Sequence, residues 1–285
     1  MNRQQKEAAV RRAIGDLPLL SGSASRLLSL SREAEHELAD IIKIVKHDAL
    51  LTSRVLKVVN SAAFARRVEI HSIEHAVALL GEELVVSTAM SEAAGLIFGK
   101  KLAGYAAEEG ELWRHNLKTA IAAKILAGRA RRPVPHELAF TCGLLHDLGK
   151  AVISDYLLHT AGKIRQAIEE KKFADYLAAE RAILGIDHAE AGYELCRRWQ
   201  LPSPLPEACR LHHQPALAPP KWRPLLYVVH LADIVAMMSG VGTGADALQY
   251  SLDRDYEQQV DLDENGLAEV MLRVEREFAQ AAEAF

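Results

Sequence analysis

The stretch Gly143–Val152 sets a histidine and an aspartate side by side among leucines, then a glycine, then a lysine. Leu144, Leu145, Leu148, Ala151 and Val152 belong in the interior of almost any fold. Charged groups are rarely buried unless they are paired or bind a metal. His146, Asp147 and Lys150 therefore need partners. Candidates lie elsewhere in the chain: His115 in ELWRHN, His188 in GIDHAEAG, the adjacent His212 and His213, and Asp233 within the apolar run VVHLADIVAMM. Glu111 precedes His115 by four residues, so both face one side of a helix. Neighbouring helix residues point about 100° apart. A His-Asp pair can then serve one ion through the imidazole while the carboxylate reaches towards a second, and a His-His pair can address two ions. A carboxylate on an apolar helix, such as Asp233, needs a partner that a metal would supply. Mixed His and carboxylate donors suit Fe, Mn, Co, Ni or Zn, and disfavour Ca or a thiolate-type zinc site.

Taken singly, each signal says little. A lone histidine on an apolar helix is more often a hydrogen-bonded core residue. The chain also carries its own control: His47–Asp48 in VKHDALL follows a lysine where a helix begins. There Asp48 reads as an N-cap and His47 as a surface residue. Five separated segments that together offer His and Asp are harder to dismiss. Lys150 stands one helical turn beyond His146. Its charge suits a phosphate, and a salt bridge to a nearby Asp or Glu is the competing assignment.

The elements that must position these groups read as helices. Ala and Leu are abundant, aromatics make up 6% and β-branched runs are short, which favours helix over strand. Apolar residues recur at helical spacing through residues 34–64 and 72–90, with a break expected at Gly81. A loop leads into a helix near Ser23. The segments ELWRHNLKTAIAAKILAGRA, IDHAEAGYELCRRWQLP, PLPEACRLHHQP and KWRPLLYVVHLADIVAMMSG read as helices closed by Gly128, Pro202, Pro215 and Gly240. Residues 161–182 suggest one or two charged amphipathic helices, and DENGLAEVMLRVEREFAQAAEAF suggests a terminal one. The spacing predicts an all-α chain with no strands and no fixed-period repeat. Its parts are a helical unit over 1–105, a metal-binding helical unit over 106–260 and a C-terminal helix over 261–285.

Other features bound the function. A formal net charge of −4 gives no basic field for nucleic acid. The N-terminal MNRQQKEAAVRR has no apolar core, so it is not a signal peptide, and no run reaches the ~18 apolar residues of a membrane span. Cys142, Cys196 and Cys209 form no CxxC pair, which suits free thiols in a reducing cytoplasm. The cluster Arg129, Arg131 and Arg132 reads as a solvated helix end. Trp113, Trp199 and Trp222 read as gap fillers, and Met237 and Met238 as core.

The order H…HD…H…HH…D resembles the HD superfamily of metal-dependent phosphohydrolases, and HDLGK is similar to the segment found in its HD-GYP subgroup. The resemblance implies an all-helical fold and a basic metal site of His115, His146, Asp147 and Asp233. His188, His212 and His213 match the extra positions of multinuclear sites, Glu111 an additional carboxylate of trinuclear ones, and Lys150 a phosphate-contacting lysine. After His212–His213–Gln214 the chain continues PALAPP, with no Gly-Tyr-Pro segment. The stretches LPLLSGSASRLLSL, IIKIVKHDALLTSRVLKVVNSAAF and SIEHAVALLGEELV resemble the HDOD domain, a bacterial signalling module, over about residues 14–215. Together these imply two or three divalent transition-metal ions, with Fe or Mn favoured and Zn, Ni or Co open. They imply hydrolysis of a phosphate ester or phosphodiester in a phosphate-containing small molecule or cyclic nucleotide, with Asp147 and Lys150 as the catalytic residues. The alternative is a non-catalytic signalling or scaffold module that binds a protein partner and keeps a structural or vestigial metal site.

Overall fold

Asn2 opens the first helix, α1 (Arg3–Asp16): its side chain accepts from the Gln5 N–H while the Gln5 side chain accepts from the Asn2 N–H. This helix was not foreseen in the polar N-terminal stretch, because Val10 and Ile14 are its buried residues and leave almost no periodic signal. The computed structural model describes all residues except 31–35, 61–69, 94–99, 243 and 283–285. Next come α2 (Gly22–Leu30), α3 (Leu38–Lys46), α4 (Ala49–Val59) and α5 (Ile73–Ala93). Gly81 breaks α5 as expected, with a φ of 75° that favours glycine.

The control dipeptide behaves as its sequence suggests. Asp48 is the N-cap of α4 and accepts from the N–H groups of Leu50 and Leu51. The Leu51 N–H, helped by Ser23, holds its carboxyl below the ordinary value. His47 is exposed, with Nδ1 2.6 Å from the Lys43 carbonyl. Asp48→Ala is expected to cost about 1 kcal/mol of stability, read as a lower Tm, with metal content unchanged. Asn60 closes α4: its amide donates to the Leu56 and Ile70 carbonyls, and its oxygen accepts from the Ile70 N–H. Ser61 and Phe64 of the same motif lie outside the described residues.

The second half carries α6 (Glu111–Ala127), α7 (His136–Leu145), α8 (Leu148–Ile153), α9 (Ala161–Glu169), α10 (Tyr176–Leu184), α11 (His188–Arg198), α12 (Leu205–Leu211), α13 (Arg223–Met238) and α14 (Glu264–Ala282). Helix α6 is central and packs on α7, α13 and α14, while α11 packs on α8 and α12. Among the described residues there is no strand, only isolated bridges between Leu102 and Ala107 and between Ala130 and Val260. The chain is all-α, as its composition predicts. Helix α5 packs on α7 and so joins the two halves. Helix α1 crosses the expected boundary at residue 105, for it packs on α8, α10 and α11.

Several smaller expectations change. Arg129 and Arg131 are not simply solvated: they pair with Glu269 and Asp261, and Lys118 pairs with Glu275, tying α14 and its approach to α6. Met237 is core, whereas Met238 is 47% exposed. Trp199 fills a gap and donates from Nε1 to the Pro18 carbonyl. The three cysteines are free and buried. No helix of the described residues is long and apolar enough to cross a membrane.

Candidate metal centre

Helix α7 ends at Leu145, and His146 and Asp147 occupy the break before α8, with Asp147 at φ −102° and ψ 11°. The sequence suggests one continuous helix here. The break instead frees both side chains from the helix wall and turns them inward. Gly149 sets how close α11 can come: a Cβ there would stand 1.9 Å from the His188 carbonyl oxygen and 2.6 Å from the Gly192 nitrogen. His188 is the first residue of α11, whose N-cap Asp187 accepts from the Glu190 N–H. His212 caps the end of α12 and His213 follows it. Helix α6 contributes His115, and α13 contributes Asp233.

These residues meet in one buried cluster. His115, His146, His188 and His212 are 0% exposed, Asp147 1% and Asp233 2%, and His213 is half-buried. Asp147 lies between two histidine sets. Its Oδ2 faces His115 Nε2 at 3.4 Å and His146 Nε2 at 3.5 Å. Its Oδ1 faces His188 Nε2 and His212 Nε2, each at 3.5 Å. Asp233 Oδ1 is 3.1 Å from His115 Nε2 and 3.6 Å from His146 Nε2. His213 Nε2 is 3.1 Å from His188 Nε2. Three ligand sets result, each with donor atoms within 4.8 Å of one another: Asp147 with His188, His212 and His213; Asp147 with His115 and His146; and Asp233 with His146 and His212. Among the described residues every such group lies in the second half of the chain.

The hydrogen-bonding pattern points the same way. Nδ1 of His115, His146 and His212 lies 2.8 Å from the carbonyls of Val241, Gly143 and Cys209 respectively. A carbonyl only accepts, so each Nδ1 carries the proton and each Nε2 presents a lone pair. Those three Nε2 atoms, with Oδ1 of Asp147 and Oδ1 of Asp233, are buried and have no aligned hydrogen-bond partner. Orphaned buried polar atoms cost about 1–3 kcal/mol each. Five of them converging, all lone-pair donors, fit a divalent transition metal.

Electrostatics match this arrangement. Burial raises the Asp147 carboxyl, but the charge of Lys150, with His146, His115 and His212 alongside, leaves it well below its ordinary value. Burial also works against Asp233, yet His115 and His146 hold it well below. Burial opposes a charge on His115, but Asp147 and Asp233 lift it to about 9. Burial takes His212 down to about 4 against the pull of Asp147, and it lowers His213 strongly with help from His212 and His188. At His115 a proton and a metal ion compete for one lone pair.

Seven of the eight expected ligands come together. The eighth, Glu111, stands outside all three groups: it begins α6, and its carboxylate accepts from the Glu108 N–H at 2.9 Å. Facing the same side as His115 was not enough, because one helical turn carries it up to the helix end. Lys150 Nζ is buried and lies 2.6 Å from both Asp147 Oδ2 and Asp246 Oδ2, which is the salt-bridge assignment. Burial would lower it, but Asp147, Asp246 and Asp233 raise it.

Several neighbours were missed. Glu180 is fully buried against His188. Its signal was available: Tyr176, Ala179, Glu180 and Leu184 recur at helical spacing, which places the carboxylate on the apolar face of α10. Asp246 and Tyr250 lie in a loop where periodicity gives no guidance. The Tyr250 hydroxyl donates to Asp246 at 2.8 Å, and its ring stacks on His213 with centroids 3.9 Å apart. His230 braces the backbone, with Nδ1 2.8 Å from the His212 carbonyl and Nε2 accepting from the Asp253 N–H.

Comparison with known proteins matches this architecture. An uncharacterized protein of Treponema pallidum (strain Nichols) is 29% identical over 230 residues, which is 80% of this chain. The chain spans only 43% of that relative's length. An HDOD domain protein of unknown function from Geobacter sulfurreducens has a solved structure with a TM-score of 0.72 at 22% identity, covering 99% of both chains. A candidate phosphohydrolase of Shewanella amazonensis SB2B superposes with a TM-score of 0.60 at 23% identity, covering 98% of this chain and 97% of its own. The HDOD domain model matches residues 17–215, from just after α1 through the paired histidines. The helical fold recurs in an HDOD protein over its whole length, and that match takes in most of the chain, which therefore belongs to the HDOD domain family.

Proposed function

We propose that this chain is a metal-dependent phosphohydrolase acting on a phosphate ester or phosphodiester, with a nucleotide-type small molecule or cyclic nucleotide as substrate. One observation carries the reading: the two oxygens of Asp147 face different histidine pairs, His115 with His146 and His188 with His212. That is the placement of a bridging carboxylate. His115, His146 and Asp233 would hold one ion with Asp147 Oδ2, and His188, His212 and His213 a second with Asp147 Oδ1. Fe or Mn is the favoured ion, with Zn, Ni or Co as alternatives. When bound, two such ions lower the pKa of a water and neutralise phosphoryl oxygens.

The chain's own groups do the rest. The carbonyls of Val241, Gly143 and Cys209 fix the ring tautomers. Lys150, paired with both Asp147 and Asp246, anchors the carboxylate that faces the two histidine pairs. The buried walls exclude bulk water, which strengthens these charge interactions. The free thiols fit a cytoplasmic location.

A second reading has its own observation. Every candidate ligand but His213 has at most 3% side-chain exposure, and the Tyr250 ring stacks on His213. This favours a signalling or scaffold module whose metal is structural. One experiment separates the two: metal analysis of purified protein, then a panel of phosphomonoesters, phosphodiesters and cyclic nucleotides, with Asp147→Ala as the blank. Turnover that follows metal content supports the enzyme. Bound metal without turnover supports the scaffold, and protein that takes up none of Fe, Mn, Zn, Ni or Co removes the enzyme reading and leaves at most a vestigial site.

A further inference from the structure

Each of the four fully buried candidate ligand histidines has an oxygen at Nδ1, but the oxygens differ in kind. His115, His146 and His212 face backbone carbonyls. His188 faces a carboxylate, with Glu180 Oε2 2.7 Å from its Nδ1. The same oxygen accepts from the His188 N–H at 2.9 Å, and Glu180 Oε1 accepts from the Tyr105 hydroxyl at 2.5 Å. A carbonyl holds a ring in place, whereas a carboxylate also makes it a stronger donor.

Helix capping accounts for only one of Glu180's contacts, the one with the His188 N–H. The start of α11 already has Asp187 as its N-cap, and Asp187 pairs in turn with Arg181. Glu180 is fully buried, and a charge there is costly unless partners answer it. Its three donors are Tyr105 and two groups of a single residue, His188. Behind His188, Gly149 meets the His188 carbonyl too closely for any side chain, so the backbone there has no room to shift. Ring and backbone are therefore both fixed, and the ring's Nε2 faces Asp147 Oδ1 at 3.5 Å.

We infer that Glu180 is a positioning residue for the ligand set of Asp147 Oδ1, His188, His212 and His213, raising that set's metal affinity through His188. The inference rests on the metal-site reading above. It singles out one of the two sets, because the set built on His115 and His146 has only carbonyls behind its rings.

Glu180→Gln tests it. Glutamine keeps the volume and an acceptor oxygen for His188, and its NH2 can donate to the Tyr105 hydroxyl. The probe is zinc alone, titrated into metal-free protein against a competing chelator. The expected result is a 10–100-fold loss of affinity confined to one class of site, with the other class and the Tm close to wild type. Tyr105→Phe, which removes a donor to Glu180 but not the charge, should bind zinc as wild type does. Equal zinc binding by wild type and Glu180→Gln would overturn the inference and leave the metal site standing. A Tyr105→Phe loss as large as that of Glu180→Gln would also overturn it, by reducing Glu180 to a packing role. Wild type that binds no zinc would remove the metal reading itself, and this inference with it. Should Glu180→Gln not fold, 15N NMR of zinc-loaded wild type decides. A proton on His188 Nδ1, shifted downfield relative to the other ligand rings, supports the role of Glu180, and a His188 resonance like theirs overturns it.

Discussion

Asp147→Ala is expected to strip metal from the whole cluster, not from one part of it. Asp147 is the residue whose two oxygens reach both principal histidine sets, and its charge is what most directly opposes the crowding of ions. Altering a group behind a ligand typically costs 10–100-fold in metal affinity, so losing the shared carboxylate should cost more than about 100-fold at each set. His213→Ala should cost less, because His213 belongs to one set and is only half-buried. Elemental analysis of the two variants after dialysis compares them directly. A loss for His213→Ala as large as that for Asp147→Ala would mean that Asp147 does not bridge. His47→Ala, in the other His-Asp dipeptide, should leave metal content untouched.

The second large effect concerns a residue with no side chain. In Gly149→Ala the added methyl meets the His188 carbonyl and the Gly192 nitrogen, both backbone atoms. No flexible side chain can give way, so α8 and α11 must part. Overpacking costs about 1–3 kcal/mol where neighbours can adjust, and here about 3 kcal/mol or more is expected. For a chain of this size that lowers Tm by roughly 6–12 °C. Metal should be lost as well, since α11 carries His188 away from Asp147. Gly162→Ala is the matched control: nothing lies within 4 Å of a methyl there, and the change should stay within about 1 kcal/mol. Thermal melts of the two variants, with and without added metal, check both parts. A Gly149→Ala melt like that of Gly162→Ala would show that the two helices can separate at little cost.

The candidate ligands were legible in the sequence for a specific physical reason. Burying His146, Asp147 and Asp233 among apolar residues leaves a contradiction that local hydrophobic patterning makes visible. His188 beside its capping Asp187 and the His212–His213 pair add to it at helix ends, which turn signals locate well. The helices themselves were legible wherever apolar spacing was strong, as in α6, α11 and α13. What escaped notice depends on tertiary placement. Glu111 has the spacing to join His115, but it serves the helix start. Lys150 could have met a phosphate or a carboxylate, and the choice turned on Asp246, which comes from a loop nearly a hundred residues away in sequence. Helix α1 escaped because its inward face is narrow. Glu180 could have been found by asking why a carboxylate shares the apolar face of α10, the same question that found Asp233.

The depth of the cluster also bears on how long an ion stays. Four histidines and two aspartates with at most 2% exposure, beside a half-buried His213, would leave a bound ion little contact with solvent. Arrival and departure would then wait for the fold to open locally, around Tyr250 or the α7–α8 break. Exchange is governed by the free energy of that opening, and metal–ligand bond strengths set only part of the rate. An ion acquired as the chain folds would exchange slowly with chelators and with competing metals. Which element a molecule carries would thus record the metal supply at its synthesis, and two samples of one sequence could differ in metal until exchange is complete.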